Sequence, residues 1–417
     1  MKTETDIQTL TLDAVNLLKD MIAIPSPSFE ENEVCTHICN WLSSKDISHR
    51  RAGNNIIAEH ISDESKPTLM LCAHIDTVSP SPEYDFDPYK PDYQTACKVI
   101  GETFGKECGP EDIVAGLGAN DDGASAVSMI AVFRYFSSIF GCSRGIENNP
   151  SHSFVVGSSP CGQGGGTAFN TSAALKDAGC PNLILVLSCE EERSGKNGMT
   201  GLWPELASEV DFAIVGEPTG MKAATAERGL LVIDATAHGI SGHAARNEGK
   251  NALYIALEDI DRLRKHTFEK VSPRMGKVNL NVTQINAGSA HNVIPDRCDF
   301  VIDIRPTEQY RNEEILSELE AICESELKPR NLSNRSSATF EDSPLHKAAE
   351  ALDIETFSSP TTSDWMRISC DAVKMGPGDS SRSHRKNEFV LVDEIRNGIE
   401  TYIKFINKLM IKLDTVR

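Results

Sequence analysis

Leu69-Met70-Leu71-Cys72-Ala73-His74-Ile75-Asp76-Thr77-Val78 is the stretch on which the fold turns. Its apolar run is short enough for a buried strand and ends in two polar residues, His74 and Asp76. Side chains two residues apart point to the same side of an extended chain. A carboxylate so placed can hydrogen-bond one imidazole nitrogen, fix the tautomer and leave the other nitrogen for a metal. Taken alone, His-x-Asp also describes a histidine capped by a turn aspartate. Three further apolar runs end in the same manner. Asn182–Ser188 runs into Cys189-Glu190-Glu191-Glu192, and Asp211–Val215 runs into Gly216-Glu217-Pro218-Thr219. Ala372–Met375 leads past Gly376-Pro377-Gly378 toward His384.

The chain has 417 residues, 40% of them hydrophobic, which is ample for a large core and long for one domain. With 61 acidic against 41 basic residues its formal charge is −20, which disfavours nucleic acid and anionic membrane as partners. The same charge suits attraction of cations and plain solubility equally. Met1 to Asp6 is polar and acidic, and no stretch approaches the ~18 apolar residues of a membrane span. The 12 cysteines are scattered, and Cys72 and Cys189 lie in or beside apolar runs as reduced core residues would. Cys35-x-x-x-Cys39 has helical spacing and no second Cys/His pair nearby, so it reads as packing. A cytoplasmic protein is expected.

Residues 8–21 carry apolar positions at helical spacing, and Ile24-Pro25-Ser26-Pro27-Ser28 stops them. Ser28 and Glu31 form a capping box for a second helix to about Leu42. Strands are expected at residues 54–60 and 69–74, then loop over most of 79–112. Gly116-Leu117-Gly118-Ala119-Asn120-Asp121-Asp122-Gly123 opens a helix over 125–136. A glycine-rich turn at a helix start can cradle phosphate, but two aspartates there favour a cation. Residues 141–172 are rich in Gly, Ser, Asn and Pro and read as an insertion. From Thr225 the texture changes: strands at 230–237, 278–285, 298–304 and near 336–340, with helices at 251–266 and 312–327. That alternation suggests a small α+β unit of ferredoxin-like type. A helix at 346–352, a strand at 372–375 and a helix at 392–411 return to the first domain. The expected architecture is α/β: a catalytic domain with a mixed sheet flanked by helices (1–222 and 341–417), interrupted by a smaller α+β domain (223–340).

In open α/β sheets, sites collect at the carboxyl ends of strands. His74, Asp121, Glu192, Glu217 and His384 would supply two histidines and three carboxylates, one shared, which suits two zinc ions with N and O ligands. Metals ~3.5–4 Å apart activate a bridging water and polarise a carbonyl, and a spare carboxylate beside a ligand acts as general base. Clustered carboxylates repel one another unless a cation joins them.

Here the chain resembles the di-zinc amidohydrolases, the family of aminoacylase, acetylornithine deacetylase and succinyl-diaminopimelate desuccinylase. The motifs are His74-Ile75-Asp76-Thr77-Val78, Gly118-Ala119-Asn120-Asp121, Glu191-Glu192-x-x-Gly195-x-x-Gly198-Met199 and Gly216-Glu217-Pro218-Thr219. Ser241-Gly242-His243-Ala244-Ala245, Asn286-Ala287-Gly288-Ser289-Ala290-His291-Asn292 and His384-x-x-Asn387-Glu388 continue it in order. Several of these stretches look most like the acetylornithine deacetylase branch, some members of which take N-succinylornithine. The resemblance implies a zinc-peptidase-like catalytic domain and a lid domain through which two chains dimerise. It implies that Asp121 bridges two Zn2+ (Co2+ can substitute), with His74 and Glu217 on one and Glu192 and His384 on the other. Glu191 would be the base and Asp76 the partner of His74. The triple glutamate admits more than one register, and the Gly195 and Gly198-Met199 spacing favours this one. His243 would stabilise the oxyanion across a dimer interface with help from Asn292. Arg246, Arg382 or Arg305 would clamp a substrate carboxylate, although Asp303-Ile304-Arg305 also reads as a structural ion pair.

Three departures stand out: Asp122 after the bridging aspartate, Glu190 where an aspartate is common, and the 141–172 insertion. The leading expectation is deacetylation of an N-acylated amino acid such as N-acetylornithine, a step of arginine biosynthesis. A desuccinylase or a di- or aminopeptidase on the same scaffold is the enzymatic alternative. A metal-binding scaffold without catalysis is the third, against which the retained Glu191 speaks.

Overall fold

A computed structural model describes residues 6–140, 182–246 and 248–414, in two compact units. The insertion expected at 141–172 lies outside the described residues. One unit gathers the chain up to Ala223 with Glu341–Glu355 and the segment from Cys370 onward. The other comprises Ala224–Phe340 and Thr356–Ser369. The single return expected after residue 340 is therefore corrected. Thr356–Ser359 pairs with the strand Ala223–Glu227, so this short segment goes with the second unit.

The sheet of the first unit runs Arg50–Ala52, Asn55–His60, Asn182–Ser188, Thr68–His74, Phe212–Val215, Asp371–Lys374. The first two pairings are antiparallel and the remaining three parallel. Thr68–His74 and Asn182–Ser188 are buried at every residue, as strands covered on both faces must be. The helix Val392–Asp414 turns Ile395, Ile399, Tyr402, Ile406 and Leu409 inward at helical spacing, against Ala124–Phe140 and Ile7–Ile22. A small satellite core of Phe86, Ala96, Ile100, Ile113, Ala115 and Phe389 lies beneath the hairpin-like pair Ile113–Ala115 and Phe389–Leu391.

The second unit carries a four-stranded antiparallel sheet in the order Asn279–Ala287, Arg297–Arg305, Leu231–His238, Glu326–Pro329. Strict alternation along Leu231–His238 and Arg297–Arg305 puts Ile233, Ala235, Phe300 and Ile302 into a core shared with the helices Ala252–Lys265 and Asn312–Glu320. A β-α-β-β-α-β order with this strand arrangement is the ferredoxin-like fold read from the sequence.

Three local expectations are corrected. The supposed loop 79–112 contains a helix, Tyr93–Phe104, capped by Asp92 and ended by Gly105 in the left-handed region. The fourth strand of this sheet is Glu326–Pro329, while the strand expected near 336–340 is the short Ser337–Ala338, which pairs with Ala223–Glu227 instead, and the helix before Glu326 stops at Glu320. The buried carboxylate of Asp259, from the other helix, accepts the amides of Glu324 and Ser325 and turns the chain there. Ser28 and Glu31 make no capping box: the helix begins at Asn32, and both side chains are committed elsewhere. Among the described residues no helix is long and apolar enough to cross a membrane.

Asp13 on the first helix pairs with Lys45 at 2.9 Å and with Arg134 on Ala124–Phe140, joining three helical segments. Burial opposes its ionisation, but the two cations outweigh burial and hold its carboxyl below the usual range. That stabilisation is complete above the unfolded value of 3.8 and is lost as pH falls through the lowered folded value. Asp13→Asn is expected to lower the melting temperature by about 1–3 °C at pH 7. In thermal melts across pH the deficit should shrink below pH ~4; a constant deficit would refute the ion-pair account.

Candidate metal centre

The parallel strands bring distant residues to one edge. Cys72 pairs in register with Val215, and His74 with Ser188. Two residues beyond each partner lie Glu217 and Glu190, so the Glu217 segment and the triple-glutamate segment both leave the sheet at the carboxyl end where His74 stands.

His74 is buried, and its Nδ1 lies 3.0 Å from the backbone oxygen of Asp76. A carbonyl only accepts, so Nδ1 carries the proton and Nε2 is left as the nitrogen able to bind a metal. Nε2 faces Asp121 Oδ1 at 3.2 Å. The expectation that the Asp76 carboxylate makes the imidazole hydrogen bond is thus modified. Its Oδ1 stands 3.5 Å from Nδ1, while the carboxylate accepts from the amides of Glu191 (3.0 Å) and Glu192 (3.2 Å) and from the Ser28 hydroxyl (2.7 Å). Burial opposes ionisation of Asp76, but His74 and these donors outweigh it and hold its carboxyl down. Glu190 turns the chain in the left-handed region, with its carboxylate held by the amide and side chain of Asn197. Glu191 and Glu192 follow in a short 3₁₀ turn.

Asp121 presents its second oxygen, Oδ2, to His384 Nε2 at 3.6 Å, and His384 meets Glu192 at 3.0 Å. One carboxylate therefore faces two histidines, one oxygen to each. Asp122 points elsewhere, toward Ser125 and the backbone at Gly216. Two sets of side chains bring ligand atoms within 4.8 Å of one another: His74, Glu191 and Glu217, and His74, Asp121 and Glu192.

The charges support a cationic occupant. Burial, with the nearby Asp121 charge adding to it, pushes the Glu217 carboxyl well up and those of Asp122 and Glu388 to about 8. Burial opposes the charged form of His74, but the neighbouring carboxylates of Asp121 and Asp76 outweigh it and raise the imidazole. The Glu192 hydrogen bond raises His384 to about 9. The protein alone thus retains protons to relieve crowded carboxylates, a task that divalent cations on N and O donors perform better. The donor set fits such ions.

The other expected site residues lie in the second unit or are otherwise engaged. The strand Gly242–His243 pairs with Val293–Ile294, and Ala244 donates to the backbone oxygen of Asn292 at 3.0 Å. His243, Asn292 and Arg246 are thereby gathered in one exposed region. Arg382 is corrected as a substrate clamp. It is buried, its guanidinium is bidentate to Glu394 at 2.7 and 2.8 Å, and it stacks on Phe389. Arg305 is likewise bidentate to Asp303. Glu31, expected in a capping box, instead accepts from the Glu190 amide, and Asn120 and Glu388, to which the motifs gave no role, surround Asp121. Only the spacing His384-x-x-Asn387-Glu388 hinted at the last of these.

Residues 225–331 match the peptidase dimerisation domain of the M20 peptidases, and residues 55–150 match peptidase family M28. An acetylornithine deacetylase of Myxococcus xanthus is 28% identical over 237 residues, 51% of this chain and 61% of that protein. A succinyl-diaminopimelate desuccinylase of Paracoccus denitrificans is 32% identical over 133 residues, 30% of this chain and 35% of that protein. The chain thus spans less than two thirds of the length of these relatives. Among solved structures, an aminopeptidase PepT of Bacillus cereus superposes with a TM-score of 0.67 at 15% identity, covering 96% of this chain and 98% of that one. A Bacillus subtilis protein described as a dinuclear metal binding peptidase from the M20 family gives 0.65 at 16% identity, covering 97% and 99%. The fold of these peptidases extends over nearly the whole chain, and residues 225–331 match their dimerisation domain.

Proposed function

We propose that the protein is a metal-dependent hydrolase of linear amides that removes an N-acyl group, acetyl first, from an amino acid such as N-acetylornithine. The products are ornithine and acetate, and the setting is cytoplasmic amino-acid biosynthesis. The observation that carries this reading is the Asp121 carboxylate facing His74 with one oxygen and His384 with the other, with Glu191 beside the same cluster. His74, Asp121, Glu192, Glu217 and His384 would hold two divalent ions, zinc in this reading. Such ions supply a polarised substrate carbonyl and a water of lowered pKa. Glu191 accepts a proton from the attacking water and delivers it to the amine nitrogen as the amide bond breaks. Asp76 holds the Glu191–Glu192 turn through its amides and so aims both carboxylates. His243 and Asn292 keep the role of oxyanion donors, and Arg246 that of carboxylate clamp. The Paracoccus relative supports N-succinyl amino acids as the alternative substrate class.

A homodimer through the second unit accompanies this reading. The peptidase dimerisation match covers it, and Asn279–Ala287 is an open edge strand with Ile285 48% exposed. Tyr254 and Leu257 are exposed on the helix Ala252–Lys265 that packs on the same sheet.

Stripping metal with a chelator should lower the melting temperature, and added Zn2+ should restore it, by about 4 kcal/mol at a thousandfold excess over Kd. An unmoved melt would sink the metal reading. Glu191→Gln should cut release of ornithine from N-acetylornithine by about 10²–10⁴-fold, with metal content by elemental analysis unchanged. Loss of metal as well would make Glu191 a ligand. A wild-type preference for N-succinylornithine or a dipeptide would keep the mechanism and move the substrate. Light scattering should give twice the chain mass, reduced to one in the double variant Tyr254→Glu, Leu257→Glu; an unchanged dimer would place the interface elsewhere.

A further inference from the structure

Asp121 orients its carboxylate only as well as its backbone is held, and two side chains hold it. Glu388 is buried, and its Oε1 accepts from the amides of both Asn120 (2.8 Å) and Asp121 (2.9 Å). Its carboxylate sits in the cradle of successive N–H groups that elsewhere receives a bound anion. The side chain of Asn120, also buried, reaches the other way. Its oxygen accepts the Asp379 amide at 2.9 Å, and its nitrogen donates to Asp379 O at 3.1 Å and Ser383 Oγ at 3.3 Å. Gly378, in the left-handed region, leaves room for this approach, since a Cβ there would collide with the Asn120 oxygen.

These contacts are reciprocal. The loop 379–388 carries both His384 and Glu388, and the turn 118–121 carries both Asn120 and Asp121. Each loop grips the backbone of the other. The far end of the 379–388 loop is fixed independently. Asn387 is bidentate to Asp85, accepting its amide at 2.9 Å and donating to its carboxylate at 2.6 Å, and Arg382 is tied to Glu394. The spacing between Asp121 and His384 therefore depends on the Asn120–Glu388 grip more than on any contact those two make themselves.

We propose that Asn120 and Glu388 are positioning residues whose mutual grip sets the distance between Asp121 and His384, and so selectively governs the affinity of one of two metal ions. This rests on the reading of Asp121, Glu192 and His384 as ligands. The ion held by Glu192 and His384 depends on the grip. The ion held by His74 and Glu217 depends on it less, because it shares only Asp121 with the grip and its other two ligands are placed by the register of adjacent parallel strands.

The test uses the full chain, stripped and then titrated with Zn2+ against a chromophoric chelator, and with Co2+ to follow its absorption spectrum. Wild type should bind two ions. Asn120→Ala and Glu388→Ala should each weaken one ion by at least about tenfold more than the other, with an altered cobalt spectrum. Glu388→Gln keeps an acceptor oxygen for the two amides and should recover most of that loss. If Glu388→Ala fails to fold, Asn120→Ala carries the test, as it leaves the Glu388 hydrogen bonds intact. Two ions at wild-type affinity in Asn120→Ala would overturn the proposal. So would equal weakening of both ions alongside a lower melting temperature of the metal-free variant, which marks general destabilisation. A wild-type chain that binds no ion would overturn the ligand assignment itself, an outcome separate from failure of the grip.

Discussion

Asp76 is a single buried carboxylate on which three chain segments converge. It accepts from the amides of Glu191 and Glu192 after one strand, from the hydroxyl of Ser28 before the second helix, and lies beside the imidazole of its own strand end. A carboxylate sequestered from water is costly unless its lone pairs are filled, and here donors surround it. That constraint fixes the glutamate turn relative to His74, and with it the spacing of Glu191 and Glu192 from the imidazole. The strands provide the direction in which the site opens, whereas Asp76 provides its precision.

Around this anchor the first unit concentrates negative charge to a degree that protein contacts alone relieve poorly. Glu217 is pushed well up and Glu388 to about 8, with Asp121 held ionised between His74 and His384. Structural ion pairs in the same protein look different. Asp13, Asp303 and Glu394 each meet a guanidinium or ammonium directly and need no further ion. The contrast distinguishes carboxylates that finish the fold from carboxylates that await a cation.

Much of this was legible in the sequence. Apolar runs ending in His74, Glu190-Glu191-Glu192 and Glu217 identify buried parallel strands, because only strands covered on both faces are so uniformly apolar. The alternation in Leu231–His238 and Arg297–Arg305 equally declares a one-sided sheet. What escaped depended on non-local partners. Arg382 looked like a clamp because nothing near it in sequence announces Glu394 twelve residues on as its bidentate partner. The end of the helix at Glu320 is set by Asp259, sixty-odd residues earlier, and Ser28 is drawn from a cap by Asp76. Local propensity loses wherever a distant buried carboxylate offers better hydrogen bonds.

The order of strands has a consequence for synthesis. Asp371–Lys374 completes the parallel sheet beside Phe212–Val215, yet the whole ferredoxin-like unit is translated between them. A ribosome-bound chain that has emerged as far as Ser369 can finish the inserted unit on its own contacts while the surrounding one still lacks a strand, the His384 loop and the helix Val392–Asp414. The apolar faces of Ala124–Phe140 and Ile7–Ile22 wait uncovered for that last helix. Premature termination therefore yields a folded module attached to a sticky, unfinished one, and the nascent chain has a defined interval in which it most needs chaperone cover.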